Sequence, residues 1–144
     1  MFHRWAALAL VLALCAVPTK QAAGQQAQQP RGRKLGVLGQ NYPNPFNPET
    51  RFPFRILCEE GSTGEHVASL RVYNVLAQLV AIPVLEGQVG IGRPLSSLKI
   101  PCGDYVAYWD GKVLGTGKEA ASGVYLFELI IDGQRDMKKM FVAK

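Results

Sequence analysis

A chain of 144 residues has room for one domain preceded by a leader, and its formal net charge is +5. The excess of cations belongs to the first 34 residues, because residues 35–144 contain 11 basic and 11 acidic side chains. This neutral body argues against a nucleic-acid-binding face, since phosphate binding needs cations clustered on the domain itself.

Residues 1–24 have the three parts of a secretory signal peptide. Arg4 gives a positive start, residues 5–17 are apolar, and Ala22-Ala23-Gly24 offers small residues for cleavage. The apolar run of 13 residues is shorter than the roughly 20 that a membrane-spanning helix needs. We therefore expect a cleaved export signal, with no transmembrane segment in the mature chain; a buried core helix is the alternative. Residues 25–34 are Gln-rich with three cations, which is typical of a polar basic linker.

The segment after the linker is dominated by asparagine and proline. It contains three turns in series: Asn41-Tyr42-Pro43, Asn44-Pro45 and Asn47-Pro48. Each proline fixes φ and donates no backbone hydrogen bond, whereas an asparagine side chain can bond its own backbone two residues on. The pattern predicts a stiff, irregular lead-in to the first long strand.

The rest of the chain reads as short strands without a helical period. Alternating or β-branched stretches predict strands at 35–38, 51–57, 67–75, 79–85, 95–100, 104–109, 123–131 and 137–143. Pro53 and Pro83 indicate edge positions, and Asp132-Gly133 predicts a hairpin. Residues 35–144 are therefore predicted to form an all-β, immunoglobulin-like, two-sheet antiparallel sandwich of about seven short strands.

Two cysteines remain after the leader, Cys58 and Cys102. In an exported protein such a pair predicts a disulfide, and two partly buried thiols are the alternative. A bridge would close a loop of about 44 residues and contribute roughly 4 kcal/mol in the chain-entropy model.

Residues with catalytic potential do not form a recognisable set. His66 is placed in a polar loop, and the neighbouring Glu59 and Glu60 point in opposite directions on an extended chain. The sequence predicts no enzyme, no cofactor and no metal site. A calcium site shared by three turn aspartates is the alternative; these residues are Asp104, Asp110 and Asp132.

Trp109 is predicted to be a core anchor whose ring N–H is bonded at the sheet edge. The alternative is a sugar-stacking surface, which would need Trp109 exposed in a row with Tyr105, Tyr108 and Tyr125. We do not expect carbohydrate binding.

Five sequence blocks, in order, carry a family resemblance: NYPNPFNPET at 41–50, RVYNVLAQLV at 71–80, AYWDGK at 107–112, SGVYLFELIIDG at 122–133 and KKMFVAK at 138–144. Residues 36–144 resemble the C-terminal sorting domains of type IX secretion cargo, which are similar to the immunoglobulin-like domain of flagellar hook-capping proteins. Ala77 stands where that family usually has glycine. The matching motif positions are Asn41, Tyr42, Pro43, Asn44, Pro45, Phe46, Asn47, Pro48, Trp109, Asp110 and Gly111.

The resemblance implies that the end of the chain is a recognition element. In type IX cargo the last strand and its closing basic residues are implicated in recognition by the secretion machinery. The positions that correspond here are Gly123, Val124, Tyr125, Lys139, Met140, Val142 and Lys144. On the residues alone, the last strand is an ordinary edge strand guarded by lysines.

Two functions are therefore expected for this chain. The first is a secreted, non-enzymatic sandwich recognised by an outer-membrane translocon, which would place the protein in the periplasm, at the outer-membrane surface or outside the cell. The second is a structural or adhesive module that binds other proteins and has no sorting role. Because sorting domains normally follow a large cargo, either the chain is a fragment of a larger gene or the domain is itself the product.

Overall fold

Nine β-strands build the part of the chain that the computed structural model describes, which is residues 32–61, 64–87, 90 and 92–144. The predicted signal peptide and residues 25–31 of the predicted linker lie outside these ranges. In chain order the strands are β1 (Gly36–Leu38), β2 (Thr50–Ile56), β3 (Glu65–Asn74), β4 (Leu79–Ala81), β5 (Val84–Glu86), β6 (Leu98–Pro101), β7 (Gly103–Trp109), β8 (Gly123–Ile131) and β9 (Gln134–Val142). None of the described residues is helical.

The strands form two sheets, and every pairing between named strands is antiparallel. One sheet has four strands in the order β1-β2-β7-β5, and the other has five, in the order β4-β3-β8-β9 with β6 paired to the first half of β3. Rings from the two sheets meet in the core: Phe52 and Phe127 are 4.9 Å apart, and Trp109 and Tyr125 are 6.2 Å apart, between centroids. The predicted all-β two-sheet sandwich is confirmed, with nine strands where about seven were expected.

The predicted strand 79–85 is in fact two strands that belong to different sheets. β4 pairs with β3 in the five-stranded sheet, and β5 pairs with β7 in the four-stranded sheet. Pro83 lies at the crossing, where it cannot donate to a ladder, and its carbonyl accepts the backbone N–H of Leu95 at 2.9 Å. Both strands bury side chains in the same core, so apolar character alone did not show the change of sheet.

Pro53 does not lie on an edge strand, because β2 is between β1 and β7. The strand tolerates proline because the chain opposite it bulges: Leu38 pairs with Phe54, but Tyr42 pairs with Arg51, which leaves one extra residue between them. At this bulge the Pro53 carbonyl accepts the Gly39 N–H at 2.8 Å. A missing donor on Pro53 therefore breaks no regular ladder bond.

The predicted hairpin at Asp132-Gly133 is confirmed. The two residues have φ values of 46° and 85°, as a two-residue turn with positive φ at both positions requires. This turn sets β8 and β9 in register from Ile131↔Gln134 to Gly123↔Val142.

Cys58 and Cys102 are joined by a disulfide, and their Cα atoms are 5.2 Å apart. Cys58 follows β2 of the four-stranded sheet, and Cys102 lies directly between β6 and β7. The bridge closes a separation of 44 residues and so ties the end of β2 to the point where the chain passes from one sheet to the other.

Candidate functional site

The asparagine/proline segment, residues 41–48, is held rigidly from within. Asn41 is only 2% exposed, and its Nδ2 donates to the Pro43 carbonyl at 3.1 Å and to Thr50 Oγ1 at 3.0 Å. The Thr50 hydroxyl in turn donates to the Pro43 carbonyl at 3.0 Å. The bond from Asn41 to the backbone two residues on is the one that the sequence predicts. The peptide bonds preceding Pro43, Pro45 and Pro48 are cis.

Phe46 anchors this segment in the core. Its side chain is 2% exposed, and its ring centroid is 5.4 Å from that of Trp109. Trp109 is itself 4% exposed and donates its ring N–H to the Lys112 carbonyl at 2.9 Å. The core-anchor interpretation of Trp109 is confirmed, and the sugar-stacking alternative is wrong because Trp109 and Tyr125 are both buried.

The same segment lies along the outer edge of β9. Asn44 Oδ1 accepts the Phe141 N–H at 3.0 Å, the Phe46 N–H donates to the Phe141 carbonyl at 3.0 Å, and the Ala143 N–H donates to the Phe46 carbonyl at 3.0 Å. Just before the segment, Gln40 Nε2 donates to the Lys139 carbonyl at 3.0 Å. The segment thus takes the place of a neighbouring strand, and the first and last blocks of the resemblance form one structure.

The seven residues for which the family resemblance implies a role in recognition divide into two groups. Three of them are core residues: Tyr125 is 7% exposed, Met140 is fully buried and Val142 is 6% exposed. The other four are at the surface, namely Gly123, Val124, Lys139 and Lys144. A partner of the folded domain can touch only the second group, because alternation along β9 turns Met140 and Val142 inward.

Lys144 is fixed at the end of the chain. Its Nζ lies 3.0 Å from Glu119 Oε2, and its backbone N–H donates to Ser122 Oγ at 3.1 Å. Lys139, by contrast, is an exposed side chain in the middle of the outward face of β9.

Two outward residues near Lys139 were not among the predicted site residues. Phe141 is 41% exposed, and Glu128 is 3% exposed although it lies on the outward side of β8. Glu128 accepts hydrogen bonds from the Tyr73 hydroxyl at 3.3 Å and from Arg135 at 3.1 Å. The period-two alternation of β9 could have identified Phe141, whereas the burial of Glu128 depends on cross-strand neighbours that a single sequence does not show.

The motif turn after Trp109 packs against the asparagine/proline segment. Gly111 has φ of 76°, and a Cβ at this position would overlap the Pro48 carbonyl oxygen. Asp110 Oδ1 accepts the Lys112 N–H at 3.0 Å and so closes the turn. Both motif residues therefore have a structural role in joining β7 to the segment.

His66 lies in β3, so its predicted placement in a loop is wrong. The strand begins at Glu65 because the chain pairs with β6 there, with His66 opposite Ile100. His66 Nδ1 is 2.7 Å from Asp132 Oδ2, and Asp132 Oδ1 accepts the Val67 N–H at 2.8 Å. The bond from Val67, followed by that from His66, lowers the pKa of Asp132.

The three turn aspartates do not share a calcium site. Asp104 pairs with Arg55 at 2.6 Å, which lowers the pKa of Asp104, while Asp110 lies near Lys112 and Asp132 is bonded to His66. Within the described ranges, no group of three or more His, Cys, Asp or Glu side chains is placed to hold a metal ion.

A groove of about 620 Å³ crosses the four-stranded sheet. Its apolar lining includes Val37, Pro53 and Val106, and the Arg55–Asp104 ion pair lies at its side. Its lining residues belong to β1, β2, β5, β7 and the connections beside them, so this groove is separate from the outward face of β9.

Comparison with known proteins identifies no relative: the chain matches no protein-family model, no curated protein and no solved structure at a significant level. Among the residues that the structure describes, no helix is long and apolar enough to cross a membrane.

Proposed function

We propose that this protein is a secreted, non-enzymatic β-sandwich that a type IX outer-membrane translocon recognises through the end of its chain. The recognised elements are the outward residues of β8 and β9 together with the asparagine/proline segment that borders them. The result of recognition is export across the outer membrane or attachment at the cell surface.

One observation carries the proposal. Four hydrogen bonds join residues 139–143 to the segment and to Gln40 just before it. Gln40 and Phe46 donate one bond each, and Asn44 and Phe46 accept one bond each. The blocks that resemble the sorting family at opposite ends of the domain therefore build one local surface, which a single partner can contact. Lys139 and Lys144 are exposed on this surface.

The test uses point substitutions of exposed residues, because truncation of this strand would also remove core side chains. Residues 25–144 are fused behind an exported reporter in a host with a type IX system, and surface display is measured by antibody labelling of intact cells. We expect Lys139→Glu with Lys144→Glu to reduce display by at least about tenfold, because reversing both charges turns attraction between this surface and its partner into repulsion.

The matched control is Arg93→Glu with Lys118→Glu, which makes the same change in net charge at exposed positions outside this surface. This control should display like the wild type. Equal display of both double variants, or retention of the wild-type reporter in the periplasm, would contradict the proposed sorting function.

The groove on the four-stranded sheet favours a second candidate, a protein-interaction module without a sorting role. Concave sites with apolar linings and a few polar groups are typical binding sites. If this is the function, Val106→Glu should abolish binding of the domain to the surface of the source cells, while Lys139→Glu with Lys144→Glu should leave it unchanged.

A further inference from the structure

The outward face of β8, β9 and residues 69–74 of β3 combines cations with apolar side chains, and we call it the cationic face. Its cations are Arg71, Arg135 and Lys139, and its exposed apolar residues are Val124, Met137 and Phe141. The apolar side chains are 38%, 49% and 41% exposed, respectively. The face therefore leaves three large apolar groups in water beside positive charge.

The acidic residue at the centre of this face offsets only one of its three cations. Glu128 lies between Arg71 on β3 and Met137 on β9 in the cross-strand register, and it is 3% exposed. Both of its carboxylate oxygens are engaged, one by the Tyr73 hydroxyl and the other by Arg135. Glu128 therefore balances the charge of Arg135, and Arg71 and Lys139 remain to act on a partner.

We propose that the cationic face is a docking surface for a protein segment in which acidic and apolar side chains alternate. Met137, Lys139 and Phe141 lie on one side of β9 in the order apolar, cationic, apolar, and successive side chains on that face are about 7 Å apart. An extended segment with a carboxylate between two apolar side chains has the same spacing and opposite charge. The apolar residues supply binding energy, and the cations fix register and sign.

A protein segment fits this face better than a membrane surface does. An element that binds membranes separates its apolar side from its charged side, so that the apolar residues can enter the lipid while the charges stay in water. On β9 the apolar and cationic side chains alternate on one face, so Met137 and Phe141 cannot enter a lipid layer without burying Lys139 between them.

The experiment measures binding of the full chain to three synthetic peptides by isothermal calorimetry. In the first peptide Leu and Glu alternate at every second position with Ser between them; in the second Lys replaces Glu; in the third Ser replaces Leu. We expect the first peptide to bind at least about tenfold more tightly than either of the others, and its affinity to fall as salt rises.

Variants of the face locate the site. Lys139→Glu and Phe141→Ser should each weaken binding of the first peptide about tenfold, whereas the matched controls Lys118→Glu and Leu114→Ser should not change it. Circular dichroism melting tests whether each variant keeps the fold, and the charge variant alone decides the outcome if Phe141→Ser does not fold. Equal binding of all three peptides, no binding of the first, or binding only to phosphatidylglycerol vesicles would overturn the proposal.

The identification of the partner as part of the secretion machinery rests on the proposed function, but the docking surface is tested without it. Peptide binding that depends on Lys139, without surface display, would contradict the sorting function and support the docking surface on the cationic face. Surface display without peptide binding would support the sorting function and contradict the docking surface.

Discussion

Ala77 stands at a position where the sorting-domain interpretation predicts glycine, and its backbone has φ of 58°. This left-handed conformation costs an L-residue roughly 1–2 kcal/mol, whereas its free-energy cost for glycine is close to zero. Glycine also makes the unfolded chain more flexible, which offsets part of the gain. We therefore predict that Ala77→Gly raises the free energy of unfolding by about 0.5–1 kcal/mol, measured by urea denaturation.

The matched control for this substitution is Ala121→Gly. Ala121 is also exposed and outside the strands, but its φ is not positive. Here only the flexibility of the unfolded chain changes, so the variant should be about 0.4–1 kcal/mol less stable than the wild type. Destabilisation by both substitutions would contradict the conformation assigned to Ala77.

Asp132 gives the protein a defined pH dependence at the residue scale. The hydrogen bonds from Val67 and His66 lower its pKa below the ordinary value of 3.8. A carboxyl with a lowered pKa in the folded state contributes stability above its unfolded pKa and loses it as the pH falls through its folded pKa. We predict that wild type is more stable than Asp132→Asn near neutral pH and that the difference shrinks as the pH falls below about 4.

Guanidinium denaturation at a series of pH values measures this difference. Asparagine tolerates the positive φ of this turn position, so the variant changes the charge with little change of backbone preference. A difference between the two proteins that stays constant from neutral pH to pH 2 would show that ionisation of Asp132 adds nothing to stability.

At the scale of the element, the sequence predicted the strands better than their partners. Alternation identified β8 and β9 because each buries one face, and Asp132-Gly133 fixed their turn. The prediction for Pro53 was wrong because the meaning of a proline depends on what lies opposite it, and Pro53 faces a bulge. Pro83 lies between β4 and β5, which are both edge strands as predicted, but the sequence did not show that the chain changes sheet there. Neither the bulge nor the crossing has a local signature in one sequence.

The junction between the β7 turn and the asparagine/proline segment gives a sharp prediction. In Gly111→Ala the new methyl group would overlap the Pro48 carbonyl oxygen, and the residue must also keep φ of 76°. We predict that the free energy of unfolding falls by more than about 2 kcal/mol, because strain and a backbone displacement act together.

Gly115→Ala is the matched control for this junction. Gly115 has φ of 75°, but a Cβ at Gly115 meets no atom within 4 Å. It should therefore lose only the roughly 1 kcal/mol of left-handed strain. Thermal melting of both variants measures the difference between them, and equal losses would show that contact with Pro48 does not limit this turn.

At the scale of the whole molecule, the contact that makes the candidate site joins residues that are far apart in sequence. Asn44 and Phe141 are separated by 97 positions, and their hydrogen bond depends on where β9 ends in the five-stranded sheet. The family resemblance predicts a role in recognition for the last strand and places a motif in the asparagine/proline segment. Spacing along the chain contains no information about the contact between them. The division of the carried-over residues into core and surface follows from alternation once the register is known.

The last prediction concerns the end of the chain. Deletion of residues 139–144 removes Met140 and Val142 from the core and leaves Phe46 without its backbone bonds to Phe141 and Ala143. Loss of one buried methionine side chain alone costs about 2–5 kcal/mol, a large part of the roughly 5–15 kcal/mol that holds a domain folded. We predict that the truncated chain shows no cooperative thermal transition, or one at least about 15 °C lower by circular dichroism.

Lys139→Ser with Lys144→Ser should melt within a few degrees of the wild type, since exposed substitutions usually change stability by less than about 0.5 kcal/mol each. Loss of surface display after truncation then reports loss of folding, and only the lysine variants report recognition. A truncated chain that melts cooperatively near the wild-type temperature would mean that β9 ends the domain without stabilising it. The strand would then be free to be bound as a separate signal, and truncation would become a valid test of sorting.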